Sequence, residues 1–209
     1  MVNGERIAFR DALIAAGSTP VRTSVEGEAS IDVLTNETFW DLEELPARLL
    51  VQGGGAIGCE IAQAMARLGS AVTLVHRGDR LLPKEDAAAS AVILAALRAD
   101  GVDVRLGTTV RSFDSAGSDD DPSPSGTATL SDGTQVAFDR ALAALGRRVE
   151  AGDLELSAAG VRLDRRGAVD VDASLRTSNP RIRAAGDVTP LPRFTHTCLL
   201  YTSPSPRDS

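Results

Sequence analysis

Two kinds of apolar periodicity follow one another in the first half of the chain. Residues 49–51 form a short apolar run, which is typical of a buried strand. From Ala56 onward the pattern becomes helical, with apolar residues every three or four positions at Ile57, Ile61, Ala64 and Leu68. A second apolar strand is predicted over 71–75, after a short turn at 68–70. This strand–helix–strand order predicts a parallel sheet of the α/β class.

The pattern downstream extends the same unit into a Rossmann-like, three-layer α/β domain. The predicted elements are a helix over 85–100 that ends before Gly101, a strand over 102–106, an antiparallel meander over 110–113, 127–130 and 135–138, and a strand over 141–145. Weaker patterns predict short strands over 6–9, 12–15, 161–163, 168–171 and 181–185, and a short helix capped by Thr35 or Asn36. The segment 21–44 is otherwise interpreted as a connector.

A glycine motif joins the first predicted strand to the first predicted helix. Gly53, Gly55 and Gly58 have the spacing G-x-G-x-x-G. In a dinucleotide-binding turn the first glycine allows the tight turn, the second lets the backbone approach the pyrophosphate, and the third lets the helix pack closely. Ala56 and Ile57 would then offer N–H groups at the helix start. We therefore predict binding of NAD(P)H here, the alternative being an α/β turn that binds nothing.

The end of the second predicted strand indicates which dinucleotide is preferred. An NAD site usually has an Asp or Glu about 20 residues after the motif, where it binds the ribose hydroxyls. The chain has His76 and Arg77 at this point, followed by Asp79 and Arg80. Guanidinium groups suit a 2′-phosphate, so we favour NADPH. The alternative is that both arginines are ordinary surface charges and that Asp79 binds the ribose.

Composition excludes several other classes of function. The 209 residues are 43% hydrophobic, with a net charge of −7, so neither a nucleic acid nor an anionic membrane is an expected partner. No apolar run is long enough to span a bilayer, and the N-terminus lacks the apolar core of a signal peptide. The only cysteines, Cys59 and Cys198, are far apart and predict no disulfide framework. We expect a cytoplasmic protein. We also expect no metal site, because the aspartates in 117–126 are typical of a solvated loop.

Four stretches together resemble one family. Residues 13–18, the glycine motif with Glu60, residues 142–148 and residues 184–188 occur in the order found in the FAD-dependent pyridine nucleotide-disulfide oxidoreductases, which include dihydrolipoamide dehydrogenase, glutathione reductase and mercuric reductase. The resemblance implies that NAD(P)H gives a hydride to FAD, and that the flavin reduces a cysteine pair, which then reduces a disulfide or related substrate. It also implies a homodimeric parent protein. Residues 186–196 look most like the mercuric reductase and dihydrolipoamide dehydrogenase branch.

The resemblance implies roles for further residues. Glu60 matches an acidic residue that lies near the nicotinamide in the family, with a solvated or capping carboxylate as the alternative. Asp187, which follows Gly186, matches the aspartate that binds the FAD ribitol, with a turn or N-cap residue as the alternative. Gly146 ends a predicted strand, where close approach to a cofactor is the functional interpretation and a plain turn is the other. Cys59 is expected to pack in the core, since it lies among the helix residues.

The chain departs from the family pattern in three respects. It has no FAD-binding glycine motif near its start, no C-x4-C redox pair, and no C-terminal dimerisation domain with a catalytic His and Glu. We therefore expect a fragment, inactive on its own and with no catalytic residue of its own. Its parts would be the end of a first FAD half with a connector (1–45), an inserted NAD(P) domain (46–145), part of a second FAD half (146–197), and a disordered tail (198–209). The tail resembles translated sequencing-adapter sequence joined to a truncated gene, and the alternative is a natural flexible tail. Two alternatives stay open: a stand-alone NAD(P)-binding module, and a flavin reductase of the same fold without the disulfide.

Overall fold

The computed structural model describes residues 4–5, 8–115, 117 and 123–190, and these form two compact units. One unit is Pro20–Gly146. The other consists of the described residues before 20 and from 147 to 190. Two-residue strands, β2 and β11, lie at the two points where the chain passes between the units, at Thr19–Pro20 and Arg147–Arg148.

A parallel sheet forms the centre of the larger unit. Its strands have the order β3-β10-β4-β5-β6, and every neighbouring pair is parallel. Their bounds are β3 Val33–Thr35, β4 Arg48–Gln52, β5 Ala71–His76, β6 Asp103–Leu106 and β10 Arg140–Ala143. After β6 the chain returns to the other side of β4, so the strand order changes direction between β4 and β10.

The sheet is covered on both faces, which gives three layers. Two helices cover one face, α1 Ala56–Leu68 and α2 Ala87–Ala99. An antiparallel meander covers the other, with strands β7 Val110–Asp114, β8 Gly126–Leu130 and β9 Gln135–Phe138. Each face of the sheet has its own hydrophobic core, and alternate residues of β4 pack into one or the other. Leu49 and Val51 pack on the helix side, and Leu50 packs on the meander side. A strand buried on both faces explains why its sequence is continuously apolar.

The smaller unit contains one short parallel pair. Strand β1, Ala12–Ile14, pairs with β12, Ile182–Ala184. Its core includes Val161, Val169 and Val188. Two 3₁₀ helices, Gly152–Leu154 and Gly186–Val188, belong to this unit, while Glu28–Ser30 and Phe39–Asp41 form 3₁₀ helices in the larger one.

The α/β class and the three-layer arrangement with a meander are confirmed, but several predicted elements are wrong. Residues 33–35, interpreted as connector, form the edge strand β3 of the larger unit. The short helix predicted at Thr35 is only one 3₁₀ turn at Phe39–Asp41. The Thr35 hydroxyl accepts hydrogen bonds from Glu37 and Thr38 N–H, and this turn ends the strand.

The strands predicted over 161–163 and 168–171 are reduced to one isolated bridge, between Leu163 and Val169. The Asp164 carboxylate accepts hydrogen bonds from the N–H groups of Arg166 and Ala168, so a side-chain turn replaces the regular ladder. Phe9 lies in no strand. Four expectations fall outside the described residues: those for Arg6 and Ile7, the aspartates at 119–121, Cys198, and the tail 198–209.

Candidate functional site

The predicted nucleotide-site residues of the larger unit meet at one edge of its sheet. Gly53 follows the carboxyl end of β4, His76 ends β5, and Gly146 lies three residues after the end of β10. In open parallel sheets, ligands bind outside the carboxyl ends of the strands, where the strand order changes direction. This edge at β4 and β10 is that position. Gly186 and Asp187 belong to the smaller unit.

Two of the three motif glycines are required by close backbone packing. Gly53 has φ +114°, and a Cβ there would lie 2.2 Å from the carbonyl oxygen of Ala144. A Cβ on Gly58 would lie 1.9 Å from the carbonyl oxygen of Gly53. These contacts allow the chain to turn directly from β4 into α1 beside the end of β10, as expected for the first and third glycines of such a turn.

Gly55 is different, because nothing would obstruct a side chain within the protein. A Cβ built on this residue meets no atom within 4 Å, and its φ of −82° is accessible to any residue. Gly55 is also the N-cap of α1, and no described side chain caps that end of the helix. The open space therefore lies beside the positive end of the helix dipole and the first helical N–H groups, at Ala56 and Ile57. A phosphate group could occupy this space and bind to these amides.

The sequence interpretation missed Gly54, which is enclosed by side chains, whereas Gly53 and Gly58 are enclosed by backbone. A Cβ on Gly54 would lie 2.6 Å from Cδ2 of Leu81 and 2.8 Å from Cγ of His76. Its N–H donates a hydrogen bond to Nδ1 of His76 at 3.1 Å, and its carbonyl accepts one from Leu82 N–H at 2.8 Å. The run of three glycines at 53–55 was the available signal, since G-x-G-x-x-G spacing leaves the middle one unexplained.

His76 and Arg77, at the end of β5, differ in their exposure to solvent. His76 is partly buried, and burial, followed by the charge of Arg77, lowers the pKa of its imidazole. Arg77 is exposed, whereas Arg80 is partly exposed and donates a hydrogen bond to the Pro83 carbonyl at 2.9 Å. Arg77 is thus the cation of this segment that is available to a ligand at the surface.

Glu60 and Cys59 lie one turn into α1. Glu60 is exposed, so both of its interpretations stay open. Cys59 is buried in the helix-side core, which confirms the packing role expected for it. Burial, followed by the charge of Glu60, raises the pKa of the Cys59 thiol to about 11. A thiol with this pKa is protonated at neutral pH and is a poor nucleophile.

Asp187 belongs to a network of three side chains in the smaller unit. Ser18 Oγ donates to Asp187 Oδ2 at 2.8 Å, and Arg147 Nε donates to Ser18 Oγ at 2.7 Å. Arg147 Nε also lies 3.5 Å from Asp187 Oδ2, and its other nitrogen NH2 donates to the Ser18 carbonyl. Both members of the ion pair are largely buried, with side chains 20% and 27% exposed. The roles of Ser18 and Arg147 were not predicted, since nothing local in the sequence connects them to Asp187.

Outside the glycine motif, one predicted site glycine in each unit adopts a left-handed backbone. Gly146 has φ +104° and Gly186 has φ +79°, and a Cβ on either would meet no atom within 4 Å.

Over the described ranges, no group of three metal-ligating side chains occurs. The helices of the same ranges include none that is long and apolar enough to cross a membrane.

Comparison with known proteins identifies the family. The profile of the family "Pyridine nucleotide-disulphide oxidoreductase" matches residues 1–200. The chain belongs to this family. Mercuric reductase of Streptomyces lividans is 43% identical over 190 residues, which are 90% of this chain and 39% of that protein.

Two solved structures give the same result at the level of the fold. The HOCl-induced flavoprotein disulfide reductase of Escherichia coli matches with a TM-score of 0.82 and 31% identity, over 92% of this chain and 43% of that one. An engineered water-forming NADPH oxidase, a variant of the NADH oxidase of Lactobacillus brevis, matches with a TM-score of 0.73 and 30% identity, over 88% and 40%. The chain therefore spans about two fifths of the length of these relatives.

Proposed function

We propose that this chain is the dinucleotide-binding part of a flavin-dependent oxidoreductase, which passes a hydride from NAD(P)H to FAD and on to a disulfide or related acceptor. Members of the family use FAD and NAD(P)H. The observation that carries the proposal is the contrast within the glycine motif. At Gly53 and Gly58, backbone atoms of the protein occupy the space that a side chain would need. Gly55 instead faces open space at a helix end that no side chain caps.

In this proposal the chain's own groups bind and orient the dinucleotide. The N–H groups of Ala56 and Ile57 bind the pyrophosphate, and the absence of a side chain at Gly55 lets it approach the backbone. Gly146, three residues after the end of β10, gives the cofactor a second surface without a side chain. Glu60, one turn into α1, orients the nicotinamide carboxamide. The bound NAD(P)H supplies the hydride.

Gly55→Ala tests this assignment without rebuilding the fold. The added methyl group meets no protein atom within 4 Å, so only the space for the pyrophosphate is filled. We expect the affinity of the 209-residue chain for NADP⁺, measured by isothermal titration calorimetry, to fall by about 10-fold or more. Gly152→Ala is the matched control, because a Cβ at Gly152 also meets nothing within 4 Å and its φ is not positive. Equal affinities for wild type and Gly55→Ala would refute the assignment.

The preference for NADPH is proposed on the basis of Arg77 and the missing carboxylate at His76. The engineered NADPH oxidase carries an aspartate-to-alanine change followed directly by an alanine-to-arginine change. His76 and Arg77 present the same combination of residue types, a side chain without a carboxylate followed by arginine. A guanidinium group pairs with a 2′-phosphate by charge and by its forked geometry.

Arg77→Gln tests the preference. We expect the ratio of the NAD⁺ to the NADP⁺ dissociation constant to fall by about 10-fold, because only NADP⁺ carries the phosphate that pairs with arginine. Arg111→Gln, at an exposed arginine on β7, controls for the loss of a positive charge elsewhere. An unchanged ratio would favour the alternative that Asp79 binds the ribose.

On the flavin side, we propose that Asp187 binds the ribityl chain of FAD, next to the left-handed Gly186. A carboxylate accepts hydrogen bonds from ribityl hydroxyl groups, and Ser18 and Arg147 already fix the orientation of this one. Asp187→Asn should weaken binding of FAD by the full-length parent protein, as measured by release of flavin on dilution. Retention equal to that of wild type would show that Asp187 is only a turn residue.

We expect the 209-residue chain alone, supplied with FAD and NADPH, to reduce neither disulfides nor metal ions. Among the described residues the free thiol is Cys59, which is buried and has a raised pKa. Measurable turnover would contradict this expectation. The likeness to a water-forming oxidase supports a second candidate, a flavin reductase that uses no disulfide. A stand-alone nucleotide-binding module, a homodimeric parent and a cytoplasmic location stay predictions.

A further inference from the structure

The imidazole ring of His76 is packed into the glycine turn. Its Nδ1 accepts the Gly54 N–H at 3.1 Å. A Cβ built on Gly54 would lie 2.8 Å from Cγ of the His76 ring and 2.6 Å from Cδ2 of Leu81. The Gly54 carbonyl is held in turn by Leu82 N–H at 2.8 Å. The conformation of the backbone just before Gly55 is therefore set by the residue that ends β5.

The hydrogen bond requires a neutral imidazole with its proton on Nε2. Only a neutral ring has a nitrogen that can accept, and Nδ1 is the acceptor here. Nε2 is buried and forms no hydrogen bond with a described residue. Burial lowers the pKa of His76, the charge of Arg77 lowers it further, and the Arg80 backbone and the Asp79 carboxylate oppose these effects. The ring is thus held in the neutral form at neutral pH.

On balance the surroundings of His76 disfavour a charged ring, because burial and the charge of Arg77 outweigh the Arg80 backbone and the Asp79 carboxylate. The charged side chains that follow it are Arg77, Asp79 and Arg80, of which two are cations. The glycines at 53–55 carry no titratable group, and Leu81 closes the far side of Gly54 with an apolar surface. A protonated ring would place an N–H against the Gly54 N–H and a second positive charge beside Arg77.

We propose that His76 is a positioning residue of the nucleotide site, whose neutral ring holds the glycine turn in the conformation that receives the pyrophosphate. The inference rests on the proposed function, since it assigns a pH response to the same site. Protonation of His76 removes the acceptor for Gly54 and releases the turn. The affinity for the dinucleotide therefore falls as the pH falls through the titration of this ring.

The test uses NAD⁺ as the probe, because the 2′-phosphate of NADP⁺ would itself titrate in the same range. Binding to the 209-residue chain is measured by calorimetry at about pH 8 and at a lower pH at which the ring resonances of His76 show that the ring is protonated, because burial lowers the pKa of His76 below the ordinary histidine range. We expect wild type to lose about 3- to 10-fold in affinity at the lower pH, the factor for one hydrogen bond. In His76→Asn, the side-chain oxygen replaces Nδ1 as acceptor and does not titrate, so affinity should be the same at both pH values. His76→Ala should bind weakly at both.

A second measurement needs no variant and no nucleotide. In the wild-type chain, the amide resonance of Gly54 should shift with pH together with the ring resonances of His76, whereas the amide of Gly69, at the other end of α1, should not. Independent titration of the two residues would overturn the inference. So would a His76→Asn variant with the pH response of wild type. Wild-type binding that is independent of pH would overturn this inference alone, whereas no binding of NAD⁺ or NADP⁺ at any pH would overturn the proposed function as well.

Discussion

Gly58→Ala is expected to destabilise the larger unit, although the same substitution favours an isolated helix. The new methyl carbon would lie 1.9 Å from the Gly53 carbonyl oxygen and 3.1 Å from its carbon. Ordinary contacts to a Cβ begin near 3.4 Å, so α1 and the glycine turn must move apart. No flexible side chain can yield, since the obstructing atoms are backbone.

The magnitude follows from two opposing effects. Overpacking against atoms that cannot move costs about 3 kcal/mol, the upper part of its usual range. Replacing glycine by alanine within a helix returns up to about 1 kcal/mol. We therefore expect a net loss of about 2 kcal/mol in the free energy of unfolding. Displacement of the turn should also weaken nucleotide binding, because the Gly55 backbone moves with it.

Urea unfolding followed by circular dichroism measures the change, with the midpoint and the slope compared between variants. Gly55→Ala is the matched control for stability, since it lies three residues away and its methyl group meets nothing within 4 Å. Its loss should stay below about 1 kcal/mol, the difference between glycine and alanine as an N-cap. The reasoning is refuted if Gly58→Ala is as stable as Gly55→Ala.

Three other substitutions probe the sheet. Gln52→Met should leave stability unchanged or raise it by about 1 kcal/mol in thermal melts, because Nε2 of the buried Gln52 has no hydrogen-bond partner among the described residues. Leu74→Ala, at a fully buried residue of β5, should cost about 3 kcal/mol in urea unfolding, and a smaller loss than that of Leu68→Ala on the exposed end of α1 would contradict the packing. Hydrogen bonds from Arg48 lower the pKa of Asp139, so their stabilising effect is present at neutral pH and is lost as the pH falls through that lowered value. Asp139→Asn should therefore melt below wild type at about pH 7 and together with it near pH 2, and a constant difference would exclude this linkage.

The larger unit was predictable where each element carries its own signal. The strands β4 and β5 are buried on both faces and so are continuously apolar, and α1 shows the helical period between two glycine-marked ends. Strand β3 has only three residues, too few for any period to show. Its assignment depends on pairing with β10, more than 100 residues away in the chain, and local sequence carries no information about that pairing.

The histidine at the end of β5 shows a different limit. Its position in the sequence predicted a ligand contact, because that position usually carries the acid that binds the ribose. In the structure a ring nitrogen of His76 accepts the backbone N–H of Gly54, a contact that the sequence did not predict. A residue type indicates which hydrogen bonds are possible, but the partner follows from burial. Here the close packing of Leu81 and His76 against Gly54 makes the Gly54 N–H the hydrogen-bond partner of the ring.

The two proposed cofactor-binding regions, one in each unit, differ in how far apart their residues lie in the chain, and this explains why they were unequally predictable. The pyrophosphate turn is continuous, from Gly53 to Gly58, so spacing alone reveals it. The carboxylate of Asp187 depends on Ser18, 169 residues before it, and on Arg147. A carboxylate after a glycine is common in turns, and only the arginine and the hydroxyl distinguish this one. Substituting Arg147 should therefore disturb Asp187 more than substituting any neighbour of Asp187 in sequence, since Arg147 lies beside the carboxylate and also binds Ser18, which donates to it.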